Sequence, residues 1–182
     1  MATFNVPTRN QVSENNQAIF DNLEKGLGFV PNLYATYAYN DTALGDYLAL
    51  QNRKSTLKAK EREIINLVVS QVNECEYCLA AHTALGKMNG FNGDQIIEIR
   101  SGEASFNEKF DALAKFVKET TIQRGHPNAA TTNTLLAAGY TKANLIDILL
   151  VIGDKIVSNF VHGVTQVPVD FPAAPELEAV PA

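Results

Sequence analysis

Apolar residues along this chain recur at intervals of three and four, and no stretch alternates as a half-buried strand would. The pattern predicts helices throughout. The first follows Ser13, a suitable N-cap, carries Ala18, Ile19, Phe20 and Leu23, and stops at Gly26 and Gly28. Pro31 restarts the chain into a short helix through Leu33, Tyr34 and Tyr37, and another runs from Asp41 through Leu44, Tyr47 and Leu50. A longer helix over about 58–72 presents Ile64, Ile65, Leu67, Val68, Val69 and Val72, and Asn73 marks its end. The next runs from Cys75 to about Met88, closed by Gly90 and Gly93, with a short successor from Asp94 to Arg100. Asn107 to Arg124 is amphipathic and ends at Gly125-His126-Pro127, Ala129 to Ala138 stops at Gly139, and Thr141 caps a long helix reaching Val164.

Within that last helix Ile148-Leu-Leu-Val-Ile152 is apolar on every side, which assigns it to the centre of the molecule or to a subunit interface. Beyond it, Pro168, Pro172, Pro175 and Pro181 interrupt a segment with little to bury. The expectation is one all-α domain over residues 1–165, followed by an extended, partly mobile arm over 166–182.

Composition narrows the functional classes. A hydrophobic fraction of 46% in 182 residues supplies a core and excludes wholesale disorder. The 15 Lys and Arg against 20 Asp and Glu give a net charge of -5, the wrong sign for phosphate backbones or anionic lipid. No apolar leader follows Met1, and Asp147, Asp154 and Lys155 break the greasiest run, Leu145 to Val157. These features predict a soluble, cytoplasmic protein with neither nucleic acid nor membrane as partner.

Only two cysteines occur, and they lie three positions apart. On a helix that begins near Cys75, the side chains of Cys75, Cys78 and His82 share one face. Helix N-terminal amides and a neighbouring imidazole lower a thiol pKa from about 8.5 into a range of about 3.5 to 7.5, and the thiolate is the reactive form. Two thiols one turn apart can also close into a disulfide where the backbone allows it, so the pair suits a cycle of sulfenic acid, disulfide and reduction by a dithiol. Either sulfur qualifies as nucleophile on this reading: Cys75 is nearer the helix start and Cys78 nearer His82.

Glu63, twelve residues before Cys75, completes a Glu, Cys, Cys, His spacing that resembles the alkylhydroperoxidase AhpD-like branch of the carboxymuconolactone decarboxylase family. The likeness is tight over Glu63 to His82 and looser over about 41–90. It implies an all-α AhpD-like fold, assembly into homo-trimers or hexamers, and a thiol-dependent peroxidase that reduces hydrogen peroxide or organic hydroperoxides. By the same resemblance Cys78 is the attacking thiol, Cys75 the resolving one, and His82 with Glu63 the proton relay. It calls for no metal or organic cofactor, and suggests a dithiol reductant, including a lipoyl group carried on a partner protein. Glu76-Tyr77 stand between the cysteines where the best-known peroxidase member has a histidine, and a carboxylate there is expected to oppose thiolate formation.

Other readings give these residues different work. The cysteines alone suit small buried hydrophobes, and a zinc site would need His126 or His162 as a fourth ligand. Glu63 alone suits a solvated helix charge beside Lys60 or Arg62, and His126 a surface loop. Asn159 and His162, three apart, suit a pocket, a partner contact or an ordinary polar stripe. The tyrosines read as core, with Tyr77 a pocket wall. Two alternative functions follow: a decarboxylase-like acid–base enzyme acting on a small lactone or acid, and a redox-sensing oligomer without turnover.

Overall fold

A computed structural model describes residues 4–177. Nine α-helices and one 3-10 turn account for its regular structure, and no strand occurs among the described residues. The organising element is α4 (Ala59–Val72), on which Ile64, Ile65, Leu67, Val68 and Val69 are all fully buried. It is sequestered because α5 (Glu76–Met88), α6 (Gly93–Ser101), α7 (Glu108–Ile122) and α9 (Lys142–Thr165) all pack against it. Its flanks supply Ile96, Ile99, Leu113, Phe116, Val117, Ile148, Val151 and Ile152, and α8 (Ala129–Ala137) adds Leu135. This half of the core is almost wholly hydrocarbon.

A second apolar cluster lies under the N-terminal layer of α1 (Glu14–Leu27), α2 (Asn32–Tyr37) and α3 (Ala43–Asn52). It joins Phe20, Leu33, Tyr37, Leu44 and Tyr47 to Cys75, Tyr77, Cys78 and Val167. The buried Asn16 ties the layer together, its amide donating to the carbonyls of Ala38 and Asn40.

Most predicted boundaries hold because their caps form. Ser13, Asn107 and Thr141 each accept a backbone N–H from the first turn of their helix. Four details differ. The first helix runs through Gly26 and ends at Gly28 alone, in the left-handed region at φ 83°. Gly93 opens α6 instead of closing α5, because Asn92 caps it in a capping box with Gln95. Asp41 stays outside α3, since Asn40 Oδ1 accepts from the N–H groups of Thr42 and Ala43 and holds a turn there. The 3-10 turn Arg9–Gln11 was signalled by no apolar repeat.

In α9, Ile148, Val151 and Ile152 face the core while Leu149 and Leu150 are about two-fifths exposed, so the apolar run serves two faces. The described part of the C-terminal arm, residues 166–177, contains no helix or strand, and it is docked, not mobile. Val167 is buried, Asn32 Nδ2 donates to the Pro168 carbonyl, Asp170 accepts from Asn32 N and Tyr77 Oη, and Arg100 donates to the Pro175 carbonyl. Residues 178–182 of the predicted arm lie outside the described residues. No single helix among the described residues is long and apolar enough to cross a membrane.

Candidate active site

The α4–α5 connection sets the geometry of the cysteines. Asn73 ends α4, Glu74 takes up the left-handed conformation at φ 53°, and the Cys75 N–H donates back to the Ser70 carbonyl at 2.9 Å. The chain reverses within two residues and α5 starts at once. Cys75 is its N-cap, with Sγ accepting from the Cys78 N–H at 3.3 Å. Both cysteines are free thiols, 3% and 2% exposed, so an approaching reagent meets neither at the surface.

The structure brings the four sequence-selected residues into one region. Cys78 Sγ lies 3.9 Å from Ser158 Oγ on α9, and one turn further along α5 the His82 ring contacts Glu63 on α4, with Nδ1 2.8 Å from Oε2. Glu63 is therefore a buried partner of the imidazole, not a solvated helix charge. Burial pushes its carboxyl pKa up, but the attraction and hydrogen bond of His82, with help from Lys155 and Asn66, prevail and hold it below the ordinary value.

The two thiols are driven apart. A hydrogen bond from Cys75 lowers the Cys78 pKa, and the charges of Lys155 and His82 and the amide of Asn159 add to that against the opposing effect of burial. Cys75 is raised, first by that shared hydrogen bond and then by burial. In a coupled pair this makes Cys78 the more acidic sulfur. Glu76 is exposed, because the helix turns residue 76 away from residues 75 and 78, so solvent screens the carboxylate expected to oppose the thiolate.

Sequence reasoning missed the contribution of α9. Lys155, Ser158, Asn159 and His162 form a buried stripe at helical spacing, of which only Asn159 and His162 had been singled out. Asn159 accepts from Asn73 and donates to Ser70, bracing the α4–α5 hairpin. The stripe continues the spacing of Ile148, Val151 and Ile152, and that continuity was the signal available.

Tyrosines close the other side. Tyr37 and Tyr47 stack with ring centroids 4.5 Å apart, and Gln51 bridges Tyr34 Oη and Tyr47 Oη. Burial pushes the Tyr34 phenol up to about 12 and keeps all three neutral. The Tyr37 hydroxyl and Asp154 Oδ1 have no hydrogen-bond partner despite being buried. A cleft of about 10 Å³, room for roughly one water, runs past Gln51, Arg53, Arg62 and Asp154 beside these rings. Tyr77 is more an anchor than a pocket wall: its hydroxyl accepts from Leu33 N, donates to Asp170, and its ring meets His162 at 5.4 Å.

His126 sits in an exposed loop, and His162 turns Nε2 to the Val167 carbonyl at 3.2 Å. Neither joins the cysteines, and among the described residues no three His, Cys, Asp or Glu side chains gather as metal ligands.

An all-α single domain with a Cys-x-x-Cys turn facing a buried Glu–His pair defines an AhpD-like fold. The family model for the carboxymuconolactone decarboxylase family matches residues 36–119, a stretch that includes Glu63, Cys75, Cys78 and His82. Similar solved structures include a peroxidase-related protein from Silicibacter sp. TM1040, 24% identical with a TM-score of 0.78, covering 96% of this chain and 93% of that one. A peroxidase-related protein from Ralstonia eutropha JMP134, described as an alkylhydroperoxidase AhpD core, is 20% identical with a TM-score of 0.82 over 92% and 91% of the two chains. The debrominase Bmp8, a cysteine-to-alanine variant in complex with 2,3,4-tribromopyrrole, is 16% identical with a TM-score of 0.76 over 93% of each chain. At these identities the likeness is one of fold. No curated protein matches the sequence significantly.

Proposed function

We propose that this chain is a thiol peroxidase that reduces hydrogen peroxide or organic hydroperoxides through Cys78 and Cys75. The observation that carries the reading is one of placement: Cys75 caps the helix on which Cys78 stands, its Sγ 3.3 Å from the Cys78 N–H, and one turn beyond Cys78 the buried His82 ring meets Glu63 at 2.8 Å, surroundings that lower the Cys78 thiol pKa. In the first step the Cys78 thiolate attacks one peroxide oxygen, an S–O bond forms as the O–O bond breaks, and the departing alkoxide takes a proton supplied through His82. Cys75 then attacks the sulfenic sulfur, forming the disulfide and releasing water. A dithiol reduces the disulfide by exchange and is itself oxidised, which closes a two-electron cycle. A lipoyl group on a flexible arm has the reach and the chemistry for thiols that are both buried.

Peroxide consumption with dithiothreitol or lipoamide as reductant tests this reading on the native chain beside Cys75→Ser and Cys78→Ser. Turnover should disappear in both variants. Unchanged turnover in Cys78→Ser refutes it and leaves acid–base chemistry at Glu63 and His82, while one stoichiometric oxidation without turnover leaves a sensor.

A second copy of the chain fits the outer face of α9. Ile146, Leu150, Val157, Phe160 and Val164 are 57%, 40%, 45%, 62% and 74% exposed, and with Gly153 between them they repeat at spacings of four and three. That seam suits self-packing, whose occupant is a copy presenting the same stripe. Phe160→Glu should lower the mass measured by light scattering if this is the interface.

A further inference from the structure

Lys155 is 2% exposed, yet among the described residues its ammonium makes no hydrogen bond and has no carboxylate within 4.0 Å. A buried unpaired ammonium is costly and calls for a compensating anion. The position of Lys155 indicates which one. Ser158, one turn further along α9, donates to the Lys155 carbonyl and has Oγ 3.9 Å from Cys78 Sγ, so both residues lie on the face of α9 turned to α5.

We propose that Lys155 is a positioning residue whose charge holds Cys78 as the thiolate, leaving the His82–Glu63 pair to move the proton. The inference rests on the peroxidase reading for its purpose but not for its test. Around Cys78 stand Cys75 and His82 from α5, Glu63 from α4, Lys155 and Asp154 from α9, Tyr34 and Tyr37 from α2, Tyr47 from α3, and Tyr77, which is bound to Asp170 of the arm. The tyrosines are neutral. Asp154 is the other anion here: its carboxylate acts on the phenols of Tyr34, Tyr37 and Tyr47, and its Oδ1 has no hydrogen-bond partner. His82 is in contact with an anion, so the pair it forms with Glu63 has no net charge when the imidazole is protonated and is negative when it is not. The pair on its own offers a thiolate no net attraction. Lys155 is the cation left over, and its charge favours both the Cys78 thiolate and the Glu63 carboxylate.

Because the chain has only two cysteines, a Cys75→Ser background leaves Cys78 as the sole thiol. Its ionisation is then followed by ultraviolet thiolate absorbance against pH, which needs neither peroxide nor access by a reagent. Adding Lys155→Met or Lys155→Gln should raise the midpoint by about one unit or more, whereas Lys155→Arg should keep it within about half a unit of the parent. A midpoint unmoved in folded Lys155→Met overturns the proposal. Failure of both neutral variants to fold, with Lys155→Arg folded, also overturns it, because the ammonium would then be serving the fold. The peroxidase reading stands or falls separately, on peroxide consumption by the two serine variants.

Discussion

The two cores of this protein are built from the same helices and obey different rules. On one side α4 and the first half of α9 meet α6, α7 and α8 through Ile65, Leu113, Phe116, Leu135 and Ile148, with side chains that have no polar atom to satisfy. On the other side the same α4 and the second half of α9 meet α5 through Glu63, Asn66 and Ser70 opposite Lys155, Ser158 and Asn159. The dry core gains stability from every contact it buries. The polar core contains several buried groups without partners, including Asn66 Oδ1, Tyr37 Oη and Asp154 Oδ1, each a cost that packing alone would have removed, whereas the dry cluster carries Tyr140 Oη as such a group. Stability and reactivity are thus separated along the length of two helices.

Substitutions should respect that division. Phe116→Ala in the dry core is expected to cost about 3 to 5 kcal/mol in denaturant unfolding while leaving the Cys78 titration where it was. A shift of that titration would show the two cores to be coupled. Glu63→Gln in the polar core should lower turnover by about 100-fold. It should also change the acid limb of stability: the Glu63 pKa is depressed, so its stabilisation is present above the ordinary carboxyl value of about 4.3 and is lost as pH falls through the folded value. Native and Glu63→Gln chains should converge in stability at low pH and separate near neutrality, and parallel curves would count against the ion pair.

Smaller effects sharpen the contrast. Glu74→Gly is expected to stabilise by about 1 kcal/mol, because position 74 is left-handed and glycine meets no strain there. Tyr37→Phe removes a buried hydroxyl that has no partner and should leave stability unchanged or raise it by up to about 1 kcal/mol. The same deletion of a partnered hydroxyl, Tyr77→Phe, severs the bonds to Leu33 and Asp170 and should destabilise.

The sequence was most legible where local chemistry decides structure. Ser13, Asn107 and Thr141 announced helix starts because each cap needs only its own first turn, and the Cys75, Cys78 and His82 face followed from helical spacing alone. Tertiary placement was less accessible. Lys155 reads along the chain as a hydrophilic break in an apolar run, and a lysine is so rarely buried that this outweighs the spacing it shares with Val151 and Ile152. The docking of the arm depends on Asp170 reaching Asn32 and Tyr77, partners 138 and 93 residues away, which no periodicity encodes.

The two-residue reversal at Asn73 and Glu74 makes chain length itself a dimension of the site proposed for the chemistry. Each residue inserted before α5 would rotate that helix by about 100° and advance it by about 1.5 Å, carrying both sulfurs off the stripe they share with His82. Lengthening the hairpin by one should therefore disarm the chemistry more thoroughly than many substitutions inside it, even with every side chain retained.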